Sequence, residues 1–135
     1  MIGRLPVRVY YEDTDAGGVV YYANYLKYLE RGRTEFIRAL GIEQRALARE
    51  AGIAFAVRSL SAEYLKPALL DDELVVATTV EALGRAQVTF AQTIQRSEET
   101  LLTAKVRVAC LDLAKGRATA LPAPLLQRIR ETQTS

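Results

Sequence analysis

Tyr11-Glu12-Asp13-Thr14-Asp15-Ala16-Gly17-Gly18-Val19-Val20-Tyr21-Tyr22-Ala23-Asn24-Tyr25 is the stretch on which the reading of this chain turns, because the hydrophobic period changes across it. Before it, residues 6–11 alternate, with Val7, Val9 and Tyr11 on one face and Arg8 and Tyr10 on the other, as in a half-buried strand. Residues 12–18 are loop formers ending in two adjacent glycines. From Ala23 to Leu40 the apolar positions recur at three- and four-residue steps: Tyr22, Tyr25, Leu26, Leu29, Phe36, Ile37 and Leu40. Lys27, Glu30, Arg31, Thr34 and Arg38 lie opposite, so the segment reads as one amphipathic helix. Gly41 stands just past its end, where a left-handed residue closes a helix. Gly32 lies inside it at a cost of about 1 kcal/mol relative to Ala, which implies that another backbone passes close by.

Outward from that helix, the rest of the chain reads mainly as strands. A short helix at 43–51 precedes Gly52. Residues 54–65 are apolar-rich but lose alternation near Ser59–Leu60, as a bulge produces. Residues 73–83 form the next strand. Residues 86–95 set Val88, Phe90 and Ile94 against Gln87, Thr89, Thr93 and Gln95. Residues 101–113 place Leu102, Ala104, Val106, Val108 and Cys110 on one face. Tight turns are expected at 83–85, 97–100 and 114–116, and a last helix at 122–131. One strand, one long helix and then antiparallel strands make a single α+β domain spanning 1–135, with the helix on one sheet face.

Composition narrows the chemistry. The chain has 135 residues, enough for one domain with a substantial core, and half of them are apolar. A net charge of +2 without clustered Lys and Arg argues against nucleic-acid binding. Cys110 is the one cysteine, so no internal disulfide forms and a reducing compartment is expected. No apolar signal-peptide core opens the sequence and no stretch approaches a membrane span; the expectation is a cytoplasmic protein without membrane insertion. There are no histidines. That removes Ser-His-Asp and Cys-His hydrolase chemistry and nearly all catalytic zinc sites, leaving acid–base work to a carboxylate, tyrosine, lysine or water.

The quoted stretch supplies a carboxylate in a suitable place. Three acids fall within four positions, ahead of two glycines and a helix start. A helix N-terminus offers unpaired N–H groups and about half a positive charge, which polarise a carbonyl or hold a developing oxyanion. A carboxylate from the preceding loop can attack that carbonyl or orient a water toward it. Asp and Gly before a helix are also ordinary turn and cap residues, and the spacing alone leaves both readings open.

The segment VRVYYEDTDAGGVVYYANYLKYLERGRTEFIRALGI (7–42), with its pattern D-x-D-x-x-G-x-V-x-[YH]-x-x-Y, closely resembles the signature of the YbgC-type and 4-hydroxybenzoyl-CoA thioesterases of the hotdog-fold superfamily. The similarity continues more loosely through Tyr64-Leu65-Lys66-Pro67-Ala68 and Asp71-Asp72 to about Leu113. The resemblance implies a hotdog fold, an antiparallel sheet wrapped around one long central helix. It also implies dimers paired sheet edge to sheet edge, often stacked into tetramers, with active sites at the dimer interface. The implied activity is hydrolysis of acyl-CoA thioesters without metal or cofactor.

Carried across by position, the family's catalytic aspartate falls on Asp15, as nucleophile or general base, and the carbonyl-polarising N–H falls on Tyr22. Gly18, Val19 and Tyr21 line the same loop as substrate contacts. Asp13 is expected to support the loop, and Glu12 to be solvated. Many YbgC-type members carry histidine where this chain has Tyr22, whereas the aromatic-acyl branch carries tyrosine. Lys66 and Arg85 are the preferred contacts for CoA phosphates among Arg58, Lys105, Arg107, Lys115 and Arg117, and each of these also reads simply as a solvated surface cation. Cys110 reads as a small core residue. Tyr21, Tyr22, Tyr25 and Tyr28 can line an acyl pocket, with Tyr25 packing helix to sheet. Beside the acyl-CoA thioesterase stand two alternatives. One is a binding protein of the same fold that serves acyl-carrier protein or cell-envelope partners. The other is a hotdog dehydratase, which the absence of histidine disfavours.

Overall fold

The protein, described here by a computed structural model, is defined over residues 1–134. Its long helix, α1 (Asn24–Ala39), lies within one residue of the expected bounds at each end, and Gly41 beyond it has φ +86°. The buried face of α1 carries Tyr25, Tyr28, Leu29, Gly32, Arg33, Phe36 and Ile37. That spacing aims one stripe at the sheet. A second helix, α2 (Gln44–Ala51), ends at the left-handed Gly52.

The strands are β1 (Gly3–Arg8), β2 (Ile53–Tyr64), β3 (Glu73–Leu83), β4 (Gln87–Arg96), β5 (Glu99–Asp112) and the two-residue β6 (Arg117–Ala118), followed by α3 (Ala123–Thr134). They form one six-stranded antiparallel sheet in the order β1-β3-β4-β5-β2, with β6 pairing β5. Chain that leaves β1 therefore crosses one sheet face as α1 and re-enters at the far edge as β2. Register shifts fall between Val57 and Ser59, Val80 and Ala82, and Ile94 and Gln95. Such bulges add twist, which lets the sheet curl about a single helix. Val76, Phe90, Ile94, Leu102 and Val106 meet Tyr28, Leu29 and Phe36 in the core, and Leu125 and Ile129 of α3 complete it.

Three expectations need correction. The first strand covers Gly3–Arg8 rather than 6–11, because its partner β3 begins at Glu73 and the ladder runs out there. Val9 is fully buried, but Tyr11 is exposed and starts a single 3-10 turn, Tyr11–Asp13. The tight turn after β4 involves Ser97, at φ +55°, and Glu98, since Glu99 and Thr100 already belong to β5. What approaches Gly32 is not backbone. A Cβ there would lie 2.7 Å from Val76 Cγ1, 3.0 Å from Thr78 Oγ1 and 3.1 Å from Gln92 Nε2, all side chains of the sheet.

Gln92 is the polar residue that alternation concealed. It shares the inward face with Val88, Phe90 and Ile94 and is 1% exposed. Its amide donates to the Leu29 carbonyl (3.0 Å) and Thr78 Oγ1 (2.9 Å), and its oxygen accepts from Arg33 Nη1 (3.1 Å). A buried amide is tolerated only when satisfied in this way. The bonds pin α1 to β3 and β4 around Gly32. Cys110 is buried as expected, and burial pushes its thiol above the usual range, so it is not poised as a nucleophile.

Candidate active site

The acidic stretch folds as a small hairpin. Thr14 bridges Val20, and the Asp15 N–H donates to the Val19 carbonyl at 2.9 Å. The chain reverses because the Gly18 N–H donates to the Asp15 carbonyl (3.0 Å) and Gly18 takes φ +79°. A type I-like turn closed by a left-handed residue is a standard way to reverse a hairpin, and it explains glycine at 18. Asp15 Oδ1 accepts from the Gly17 N–H (2.8 Å). Oδ2 has no partner among the described residues, and the side chain is exposed. One oxygen is thus oriented by backbone and the other is unengaged among the described residues.

Asp13 does the structural work expected of it. Its Oδ2 accepts from the Tyr10 N–H at 2.8 Å, winding the 3-10 turn, and its carbonyl accepts from the Tyr21 N–H (2.9 Å) and Asn24 Nδ2 (2.9 Å). The loop is thereby tied directly to the start of α1. Tyr28 lies buried beneath it, with a hydroxyl near the Asp13 carboxylate but with no partner at hydrogen-bond geometry among the described residues. Burial first, and then the Asp13 carboxylate, raise that phenol far above its ordinary value, so it stays protonated.

At the helix entrance the Asn24 N–H donates to the Tyr21 carbonyl and the Leu26 N–H to the Ala23 carbonyl. The N–H groups of Tyr22 and Ala23 have no acceptor among the described residues. Tyr22 is 64% exposed and Tyr21 46%, with ring centroids 4.8 Å apart. Tyr25 is buried; its hydroxyl accepts from the Ala68 N–H (3.0 Å) and its ring meets Tyr64 edge-on at 5.4 Å. Free donors at a positively polarised helix end are what a carbonyl oxygen needs.

Residues 66–72 brace the hairpin from the other side. The Val20 N–H donates to the Ala68 carbonyl, Val19 bridges Leu69, and the Val9 N–H donates to the Asp72 carbonyl. Arg96 fixes this segment through Asp72 (2.6 Å) and the Pro67 carbonyl (3.2 Å). The sequence reading missed Arg96 and Asp72 as supports. They became identifiable only once the end of β4 was known to meet the 66–72 loop.

Asp15, Gly18, Val19, Tyr21 and Tyr22 come together within the single chain. Lys66 sits beside them but is paired with Glu99 at 2.8 Å. Arg85 does not join them: it follows β3, whose start abuts the 66–72 loop, and ten strand steps carry it roughly 30 Å away. Lys105 is paired with Glu81, while Arg58, Arg85, Arg107, Lys115 and Arg117 form no ion pair among the described residues. No group of three or more His, Cys, Asp or Glu among the described residues has the arrangement of a metal site.

An antiparallel sheet curled about one long helix, with an acidic hairpin feeding the helix N-terminus, is the hotdog architecture of thioester hydrolases. The thioesterase-like superfamily model matches residues 9–129. The chain is 49% identical over 117 residues to the acyl-CoA thioesterase YbgC of Haemophilus influenzae, covering 87% of this chain and 86% of that one. It is 45% identical over 129 residues to the acyl-CoA thioester hydrolase YbgC of Escherichia coli O6:H1, covering 95% and 96%. Among solved structures, a probable thioesterase from Bartonella henselae superposes with TM-score 0.86 at 36% identity, over 90% of this chain and all of that one. A DHNA-CoA thioesterase from Staphylococcus aureus shares the fold at TM-score 0.92 and 23% identity, over 98% of this chain and 91% of that one. The chain belongs to the thioesterase-like superfamily, on its YbgC-type branch.

Proposed function

We propose that this protein hydrolyses acyl-CoA thioesters to free acid and coenzyme A, with Asp15 as the reacting carboxylate. The observation that carries the reading is the Asp15 side chain: one oxygen is held by the Gly17 N–H and the other is free, on a hairpin tied to a helix end with unpaired Tyr22 and Ala23 N–H groups. Those donors stabilise negative charge on the thioester oxygen as it develops. Oδ2 then follows one of two routes. As nucleophile it bonds to the carbonyl carbon, the C–S bond breaks, the thiolate takes a proton from water, and water hydrolyses the mixed anhydride. As general base it removes a proton from water, whose oxygen bonds to the carbonyl carbon as the C–S bond breaks, and the departing thiolate takes that proton.

The working unit we propose is a dimer joined through β2, with tetramers built from such dimers. β2 is a twelve-residue edge strand that exposes Val57, Leu60 and Tyr64, and such an edge is ordinarily covered. Arg85 and the other free cations at its end of the sheet reach CoA phosphates only from a second subunit in this arrangement. Lys66, held by Glu99, borders the same entrance. Coenzyme A and acyl-carrier protein present the thioester on the same pantetheine arm, and short or medium acyl chains are the proposed substrates. The proposed location is the cytoplasm; no helix among the described residues is long and apolar enough to cross a membrane.

Thiol release from short-chain, long-chain and benzoyl-type CoA thioesters, and from an acyl-carrier-protein thioester, tests this. Turnover with a preference for short or medium acyl-CoA is the expected result. No turnover on any member sinks the enzyme reading and brings forward a binding protein of the same fold.

A further inference from the structure

We propose that Tyr64 is a positioning residue that sets the carbonyl-polarising peptides at the start of α1; the inference rests on the site proposed above. The Tyr64 hydroxyl donates to the Tyr22 carbonyl at 2.9 Å. That carbonyl belongs to the peptide whose N–H is Ala23's, and it is attached to the residue whose own N–H also has no acceptor among the described residues. The helix does not use it, because the Leu26 N–H turns instead to the Ala23 carbonyl. Tyr64 is the only described side chain that holds the Tyr22–Ala23 peptide plane from outside the helix.

Two consequences follow from elementary hydrogen bonding. Fixing the carbonyl fixes the torsions on either side of it, so the Tyr22 and Ala23 N–H groups keep one direction while substrate enters. A donor on a peptide oxygen also polarises that peptide, strengthening its N–H by about 10–30%. The phenol is itself well placed for this duty. Its ring packs edge-on against Tyr25 at 5.4 Å, and the Tyr25 hydroxyl is held by the Ala68 N–H. Burial raises its pKa above the ordinary value, so it remains a donor through neutral and mildly alkaline pH. Phe in place of Tyr64 keeps the ring and its edge-on contact with Tyr25, so removing the hydroxyl opens no core cavity.

The variant is Tyr64→Phe, which keeps the ring and its packing. In otherwise wild-type protein, kcat should fall about tenfold, less than the loss from deleting an oxyanion donor outright, with KM and the thermal midpoint unchanged. The second readout is the infrared stretch of a carbonyl-labelled acyl-CoA bound to Asp15→Asn protein, which holds the thioester without turning it over. Its carbonyl stretch should move to lower frequency than in water, and adding Tyr64→Phe should remove part of that shift. A merely structural tyrosine would lower the melting temperature and leave the stretch alone. Wild-type kcat and an unchanged stretch in Tyr64→Phe overturn the assignment while leaving Asp15 untouched. Full turnover by Asp15→Asn, or no shift in it, overturns the site reading itself and the Tyr64 assignment with it.

Discussion

Replacing Gly32 by Ala sets two known effects against each other. Gly32 lies in the middle of α1, where helix propensity alone makes Ala more favourable by about 1 kcal/mol. The new methyl would stand 2.7 Å from Val76 Cγ1, roughly 1 Å inside ordinary carbon contact. It would also crowd Gln92 Nε2 (3.1 Å), the donor that joins Leu29 to Thr78. Overpacking of this kind costs about 1–3 kcal/mol, and a displaced buried amide adds about 1–3 more. The clash should win, leaving Gly32→Ala less stable by about 1–5 kcal/mol after the helix gain. Urea unfolding at fixed protein concentration measures it, since an oligomer's midpoint depends on concentration. In a Val76→Ala background the same substitution should cost at least about 1 kcal/mol less, because the closest obstacle is gone. Gly32→Ala as stable as wild type, or equal costs in both backgrounds, would refute the claim that side chains of the sheet dictate glycine here.

Asp13→Asn keeps an acceptor for the Tyr10 N–H but weakens it, so it should cost up to about 1 kcal/mol in urea unfolding and lower turnover only partly. Tyr28→Phe removes a buried hydroxyl that has no partner at hydrogen-bond geometry among the described residues; stability should hold or rise by up to about 1 kcal/mol, and a clear fall would reveal a bond to Asp13 or to a bridging water. Glu99 is held below the usual carboxylate range by Lys66 and then Arg96. Its contribution is present above the unfolded glutamate value of about 4.3 and is lost as pH falls through the folded one. The acid limb of the stability curve should therefore be shallower in Glu99→Gln, as read from thermal midpoints between about pH 3 and 6.

Sequence periodicity located α1 to within a residue because its buried stripe is long and uninterrupted, and β3 came out at 73–83 because Leu74, Val76 and Thr78 keep strict parity. It failed where tertiary partners decide. Val9 continues the alternation of Val7, yet the ladder stops at Arg8 because the turn at Asp71 and Asp72 ends the partner strand. Gln92 has the parity of a core residue and the composition of a surface one, and only the buried carbonyl of Leu29 explains it. The D-x-D hairpin was readable because its residues are adjacent in the chain. Tyr64 and Arg96 act across the fold and carried no local signal. Arg85 looked suitable as a loop cation, but its distance from Asp15 depends on which end of β3 it follows.

The account stands or falls on thiol release by wild type and Asp15→Asn, assayed side by side with matched thermal midpoints. It predicts turnover by wild type and none above background by Asp15→Asn, with Asp13→Asn in between. Hydrolysis by Asp15→Asn at a rate near wild type, or equal losses in the two variants, would contradict it.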